Sequence, residues 1–296
     1  MARLNELGED ALVARLIGDL PTNAEVVVAA GDDCAVVRTG GATDLELLKT
    51  DCIVEGVHFE TGTEAERVGW KAVARTLSDF GAMGGRPGHL LVTLVVPGER
   101  EVAWVEALYV GMRRCAEAYG ATIVGGECSR LADGGPLVIP VSGTGMVTPD
   151  HLLTRHGGKA GDDLWVTGVL GGSLAGKHLD FHPRLAEGQW LGAQAGVHAA
   201  MDLSDGLAMD LPRLARASQC GFSVTRESIP CSAGVDVGQA IGDGEDYELL
   251  LSADAAVRAN LQEAWAEAFP DLALTRIGQL VEGGGDELEG GWDHFG

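Results

Sequence analysis

Hydrophobic residues recur along this chain with two periods, one near 3.6 residues and one near 2. The first period predicts helices over Glu9–Ile17, Glu64–Met83, Glu101–Tyr119, Gly206–Ser218 and Asp254–Ala268. Within the second of these, Val68, Ala72, Leu77 and Phe80 are spaced to share one apolar face. In the first half, strands are predicted at Val26–Ala30, Cys34–Val37, Leu45–Thr50, Leu90–Val96, Thr122–Val124 and Leu137–Val147. Further strands are predicted at Asp163–Val169, Phe222–Thr225, Tyr247–Ser252 and Leu274–Val281, with Gly171–Lys177 opening another helix. Few tight hairpin signals and two long helices in the first half point to an α+β fold packed in layers. The turn-rich Thr148-Pro149-Asp150 divides the chain into residues 1–148 and 149–296.

Composition narrows the class. At 296 residues, 46% hydrophobic and 22% charged, the chain has enough material for real cores. The longest apolar run, Leu90–Val96 interrupted by Thr93, is too short to span a bilayer. The first residues lack the charged-then-apolar plan of a signal peptide, so the cytoplasm is the expected location and no membrane partner is expected. Six scattered cysteines without a C-x-x-C pair read as reduced thiols, and zinc-ligand spacing is missing. A net charge of −23, from 21 basic and 44 acidic side chains, argues against a nucleic-acid partner. It also means that an anionic substrate would need cations to mediate its binding.

The candidate chemistry is carried by carboxylates in short motifs flanked by Gly or small residues. They are Asp32 and Asp33 in Gly31-Asp32-Asp33-Cys34, Asp51 in Lys49-Thr50-Asp51, and Asp79 in Leu77-Ser78-Asp79. Glu127 follows in Gly125-Gly126-Glu127, then Asp202 and Asp205 around Ser204. Each alone fits a turn or a helix cap as well as a ligand. Together, oxygen donors without matching His or Cys suit a hard cation such as Mg2+, and with it phosphate. Asp202 and Asp205 stand just before a predicted helix, where free backbone N–H groups favour phosphate. The stretch Gly171-Gly172-Ser173-Leu174-Ala175-Gly176-Lys177 matches a P-loop pattern but is followed by His178, not by a metal-binding hydroxyl, and Pro183 limits any helix. A tightly packed turn is the better account. His58 and the acidic turn Gly244-Glu245-Asp246-Tyr247-Glu248 stay open between structural and binding roles. No nucleophile–base arrangement can be argued from order or spacing.

In their order, these motifs resemble the thiamine-monophosphate kinase family of the aminoimidazole-ribonucleotide-synthetase superfamily. The resemblance runs through Glu55-Gly56-Val57-His58-Phe59, Ala82-Met83-Gly84, Thr154-Arg155, Gly161-Asp162, Gly206-Leu207 and Leu249 to Trp292-Asp293-His294-Phe295-Gly296, essentially the whole chain. It implies a two-domain α+β fold. The N-terminal domain would have a mixed or antiparallel sheet that pairs across a homodimer, and the C-terminal domain would close over nucleotide and substrate. It implies ATP- and Mg2+-dependent transfer of a γ-phosphoryl group onto thiamine monophosphate, giving thiamine diphosphate, with no general base. By matching position, Asp33, Thr50, Asp51, Asp79, Glu127, Asp202 and Asp205 would bind several Mg2+ ions, with Lys49 contributing a carbonyl. Tyr109, Gly126, Glu127, Arg155 and Ser204 would contact ATP, and His58, Glu245 and Trp292 the thiamine substrate. The chain departs from the family pattern at Glu127, where Asp is usual, at Thr76, where Asn is usual, and in a shortened stretch from Gly168 to Leu185. Another ATP-using member of the superfamily, such as the purine-biosynthesis cyclo-ligase, and a non-catalytic nucleotide-binding paralogue are the alternatives.

Overall fold

A computed structural model describes residues 3–294. Phe295 and Gly296, the end of the last motif, lie outside the described residues. Helix α1 (Glu9–Ile17) is followed by β1 (Val26–Val28), β2 (Ala35–Arg38) and β3 (Leu45–Val54). Then come α2 (Ala65–Ala82), β4 (Arg86–Pro97), α3 (Val102–Ala118), β5 (Thr122–Leu131) and β6 (Val138–Val147). These strands form one six-stranded sheet ordered β1-β2-β3-β6-β4-β5. All its neighbours are antiparallel except β4 and β5, which α3 connects in parallel. A crossover helix is what a parallel pair requires.

The second sheet starts with β7 (Asp163–Thr167), followed by α4 (Leu185–Gly192), β8 (Val197–Asp202), α5 (Leu207–Ala217) and β9 (Gly221–Val224). The chain ends with α6 (Val237–Gly242), β10 (Leu249–Ala253), α7 (Arg258–Ala268) and β11 (Leu274–Val281). The antiparallel strand order is β8-β10-β7-β11-β9. All five residues of β7 are buried because both faces of this sheet are covered. Leu164 and Val166 join the core beneath α5 and α6, while Trp165 points the other way, toward Leu261 and Trp265 of α7.

Helix α2 is the structural axis of the molecule. Its apolar spacing predicts one buried face, yet 15 of its 18 residues are buried, so it is enclosed on nearly every side. It packs on β3, β4 and β6 of the first sheet, on α3, and on α4 and β8 from the second half. Glycines permit this enclosure. A Cβ on Gly111 of α3 would stand 1.9 Å from the carbonyl oxygen of Glu66, and one on Gly188 of α4 would stand 1.8 Å from that of Gly81. Backbone-to-backbone contact of this kind leaves no room for a side chain.

Two expectations are corrected. Gly171–Lys177 does not open an α-helix but forms two three-residue 3-10 turns, Ser173–Ala175 and Lys177–Leu179. Gly171, Gly172 and Gly176 all take positive φ, which interrupts any helical run. Nor is this loop set up as a phosphate cradle, since the Gly171 N–H donates to Asp246 and the Gly172 N–H to Asp243. The strand expected at Thr122–Val124 runs on to Leu131, so Gly125-Gly126-Glu127 lies inside an edge strand and not in a loop.

Replacing Gly111 with Ala should lower stability by about 1–3 kcal/mol, because the α2–α3 contact must open despite the better helix propensity of Ala. Urea unfolding measures this, and an unchanged midpoint would show that the two helices separate freely.

Candidate active site

The polar side chains of α2 follow the helical repeat. Lys71, Arg75 and Asp79 occur at intervals of four residues and therefore share one face, with Ser78 beside Asp79. Along this line the character of the site changes from a partly apolar cavity to an acidic cleft, over roughly 12 Å of helix axis at 1.5 Å per residue.

At the acidic end, carboxylate oxygens of Asp33, Asp79 and Asp202 come within 4.8 Å of one another. Asp33 arrives on the loop before β2, Asp79 from the last turn of α2 and Asp202 from the end of β8. The Ser78 hydroxyl donates to Asp202 at 2.6 Å, and the Lys49 ammonium donates to Asp79 at 2.8 Å. Arg155 forks onto Asp33, and its backbone N–H donates to Asp32. Asp51 and Asp205 line the same cleft. Asp205 is held by Arg213 at 2.5 Å, which also reaches Asp10 of α1 at 3.0 Å. The first helix thus docks on α5, across the cleft from its own sheet.

Crowding buried carboxylates makes ionisation costly. Burial, with the Asp33 charge nearby, pushes Asp202 up to about 7 and Asp32 up to about 6. Burial also pushes Asp79 well above the usual carboxylate range, with Lys49 opposing. For Asp51 burial acts in the same direction, but the charges of Arg75 and Lys49 outweigh it and hold the group low. The N–H groups of Ser204 and Asp205, expected to be free for phosphate, are both taken by the carboxylate of Asp210 at 3.0 Å. Ser204 itself still lines the cleft.

At the other end is a cavity of about 490 Å³, walled by His58, Phe59, His178, Leu179, Glu245 and Trp292 among others. His58, Glu245 and Trp292 are therefore brought together as expected. The Val54 N–H donates to Nδ1 of His58 at 3.1 Å, which leaves Nε2 as the protonated nitrogen. Burial, aided by Arg75, pushes His58 down to about 4 and keeps it neutral. Glu245 sits at φ 57°, a costly conformation for a residue with a side chain. Its carboxylate is engaged by the fully buried Lys71 and lies 3.5 Å from His178. Burial opposes its ionisation, but hydrogen bonding to His178 and the Lys71 charge bring it down to about 2.

Four expected residues, Thr50, Tyr109, Gly126 and Glu127, line neither the acidic cleft nor the cavity. Thr50 and Glu127 point to the outer face of the first sheet, because side chains alternate along a strand. Thr50 bonds Ser142 at 2.9 Å, opposite to the direction taken by Lys49 and Asp51. Glu127 is exposed, pairs in register with Thr93 and accepts from the Ser129 hydroxyl at 2.9 Å. Tyr109, on α3, is close enough to Cys128 for that group, after burial, to raise its phenol pKa. Gly126 stands beside Glu127 on β5, while Tyr109 meets that strand from the opposite, α3 face, so these residues share no single surface. Sequence reasoning missed Lys71, Arg75, His178, Asp210 and Arg213. The four-residue spacing of Lys71, Arg75 and Asp79 was the available signal for the first two.

Comparison with known proteins agrees with this architecture. Residues 31–147 match the family model of the AIR synthase related protein N-terminal domain, and residues 140–291 match that of its C-terminal domain. A thiamine-monophosphate kinase from Rhodopirellula baltica is 35% identical, with 92% of this chain and 89% of that protein covered. One from Aquifex aeolicus is 32% identical over 99% of this chain and all of its own length. The solved structure of AaThiL complexed with AMPPCP and TMP superimposes with a TM-score of 0.85 at 31% identity, covering 99% of both chains. Matches over nearly the full length at this identity establish that the chain belongs to the AIR synthase related proteins, within the thiamine-monophosphate kinase family.

Proposed function

We propose that this protein transfers the γ-phosphoryl group of ATP to thiamine monophosphate, forming thiamine diphosphate and ADP. The observation that carries this proposal is the continuity of the acidic cleft with the His58–Glu245–Trp292 cavity along one face of α2. It is supported by the likeness to AaThiL, which was complexed with an ATP analogue and TMP.

The donor set suits Mg2+. Buried carboxylate oxygens of Asp33, Asp79 and Asp202 converge without His or Cys, and burial, with neighbouring carboxylates adding to it, raises the pKa values of Asp79 and Asp202. Asp33, Asp79 and Asp202 would hold the metal, with Asp51, Asp205 and the carbonyls near Lys49 and Thr50 extending the site. Bound Mg2+ would neutralise phosphate charge and template the two anionic substrates. Arg155 and Ser204 face the cleft where nucleotide would lie. In the cavity, an ionised Glu245 beside the Trp292 ring fits a cationic aromatic ring such as the thiazolium of thiamine. Neutral His58 offers an N–H donor to the same ligand. A phosphate oxygen of the acceptor forms the new P–O bond as the bond from the γ-phosphorus to the ADP oxygen breaks. That oxygen is already anionic at neutral pH, so no side chain needs to remove a proton.

A homodimer is part of the proposal. The outer face of the first sheet exposes Leu48, Leu91 and Val124, an apolar surface suited to a second copy. Glu127 faces the same side, so its contribution to nucleotide binding would depend on that assembly, whereas Tyr109 lies on the α3 side of the sheet.

Purified protein should form thiamine diphosphate from ATP and thiamine monophosphate. Asp51→Asn and Asp79→Asn should each lose at least about a hundredfold in turnover while remaining folded. Near-normal turnover of both variants at saturating Mg2+ would remove these residues from the site. Mg2+ should also raise the melting temperature, by an amount that shrinks from pH 8 to pH 5.5, because the ligands must be deprotonated. In metal-free protein the sign reverses. Asp202, raised from 3.8 to about 7, contributes stability that is present at low pH and lost as pH rises through about 7. Melting curves with and without Mg2+ across this range, for wild type and Asp202→Asn, check both slopes.

A further inference from the structure

Arg75 stands where the compartments of the site meet. It lines the cavity that holds His58 and Glu245, the acidic cleft, and a third small opening beside Thr50 and Cys52. His294 is the other residue shared by all three, so the two side chains mark a common junction.

The guanidinium is incompletely satisfied there. One terminal nitrogen reaches the Cys52 carbonyl oxygen at 3.3 Å, and the other reaches Asp51 at 3.4 Å. Both distances exceed the 2.7–2.9 Å usual for charge-assisted bonds. Its Nε is buried and has no hydrogen-bond partner. Other arginines of the molecule are seated differently. Arg258 grips Asp163 at 2.6 and 2.8 Å, and Arg184 grips Glu248 at 2.7 and 2.8 Å. A buried guanidinium N–H without an acceptor is costly, and its side chain is only 11% exposed. The missing partner must be an acceptor able to enter the junction, and a planar fork of N–H donors matches a phosphate. A metal ion would be repelled from this position by the positive charge. Asp79, one turn further along α2, marks the metal-binding side, and Lys71, one turn back, is already committed to Glu245.

We propose that Arg75 binds the phosphate of the acceptor, using Nε and a terminal nitrogen on its non-bridging oxygens, and so fixes the attacking oxygen at the mouth of the acidic cleft. This assignment rests on the proposed kinase reaction and adds to it a protein cation that touches the acceptor phosphate directly. The γ-phosphoryl transfer itself is unchanged: the acceptor oxygen gains the phosphorus, and the electron pair of the cleaved P–O bond leaves on ADP.

The test compares ligands that differ only in phosphate. Calorimetry on wild type, R75M and R75K is carried out with thiamine monophosphate and with thiamine, alongside kinase assays and melting curves. In R75M, binding of thiamine monophosphate should weaken about tenfold to a hundredfold, as for loss of a hydrogen-bonded charge, while thiamine binding changes less than about twofold. R75K, which keeps the charge without the fork, should fall between R75M and wild type. Equal weakening of both ligands, or no weakening of thiamine monophosphate, overturns the assignment. If R75M does not fold, R75K carries the same comparison, and thiamine monophosphate must again lose more than thiamine. If wild type neither binds nor phosphorylates thiamine monophosphate, the kinase proposal fails by itself. Arg75 is then judged with pyrophosphate and Mg2+, whose binding drops in the variants if the guanidinium holds phosphate and matches wild type if it does not.

Discussion

The molecule depends on a helix that carries charge through its interior. Burying Lys71, Arg75 and Asp79 on α2 is unfavourable unless each meets a partner, and those partners come from elsewhere in the chain. Lys71 requires Glu245 and the carbonyl of His58, Asp79 requires Lys49, and Ser78 requires Asp202. The helix can satisfy these demands only if both sheets stand against it in one register. Because the polar groups share a face, a one-residue slip of α2 would turn the whole stripe by about 100° and break every pair together. The arrangement stabilises a particular geometry more than it adds net stability.

The same constraint explains why a strongly acidic protein can hold anionic substrates. Its basic side chains are few, but Lys49, Arg75, Arg155 and Arg213 are concentrated around the cleft. Arg213 is fully engaged by Asp10, Asp205 and Asp210 and acts as scaffolding, while Arg155 grips Asp33 and still faces the cleft. The buried carboxylates Asp33, Asp79 and Asp202 at its floor are the ligands of the proposed metal site. Their burial shields them from the screening that water gives to the more exposed Asp51 and Asp205.

Much of this was readable from residue order. The periodic segments Glu9–Ile17, Glu64–Met83 and Leu274–Val281 are found within a residue or so of their predicted bounds, because caps and turns delimit them. Strand β8 was not read, since Val197-His198-Ala199-Ala200-Met201-Asp202 neither alternates nor contains a β-branched run; its strand form comes from pairing with β10. For α2, the apolar spacing was visible but its complete enclosure was not, because that depends on glycines of other helices. The acidic motifs indicated which carboxylates converge. They did not reveal that Thr50 and Glu127 face the other side of the sheet, which follows from a two-residue repeat once β3 and β5 are known to continue through them. Arg75 drew no reading from the sequence, and only the three-dimensional junction sets it apart.

The way the cleft is closed has a consequence for synthesis of the chain. Asp293 accepts from the Glu9 N–H at 3.3 Å, and Trp292 is held by the Asp205 carbonyl, so segments from opposite ends of the described chain meet at the cavity. A ribosome adding roughly 5–20 residues per second completes the first sheet well before Glu245 or Trp292 exists. During that interval Lys71 has no carboxylate and Asp79 has no facing Asp202. The nascent first half therefore carries polar groups of α2 whose partners in the second half have not yet been made.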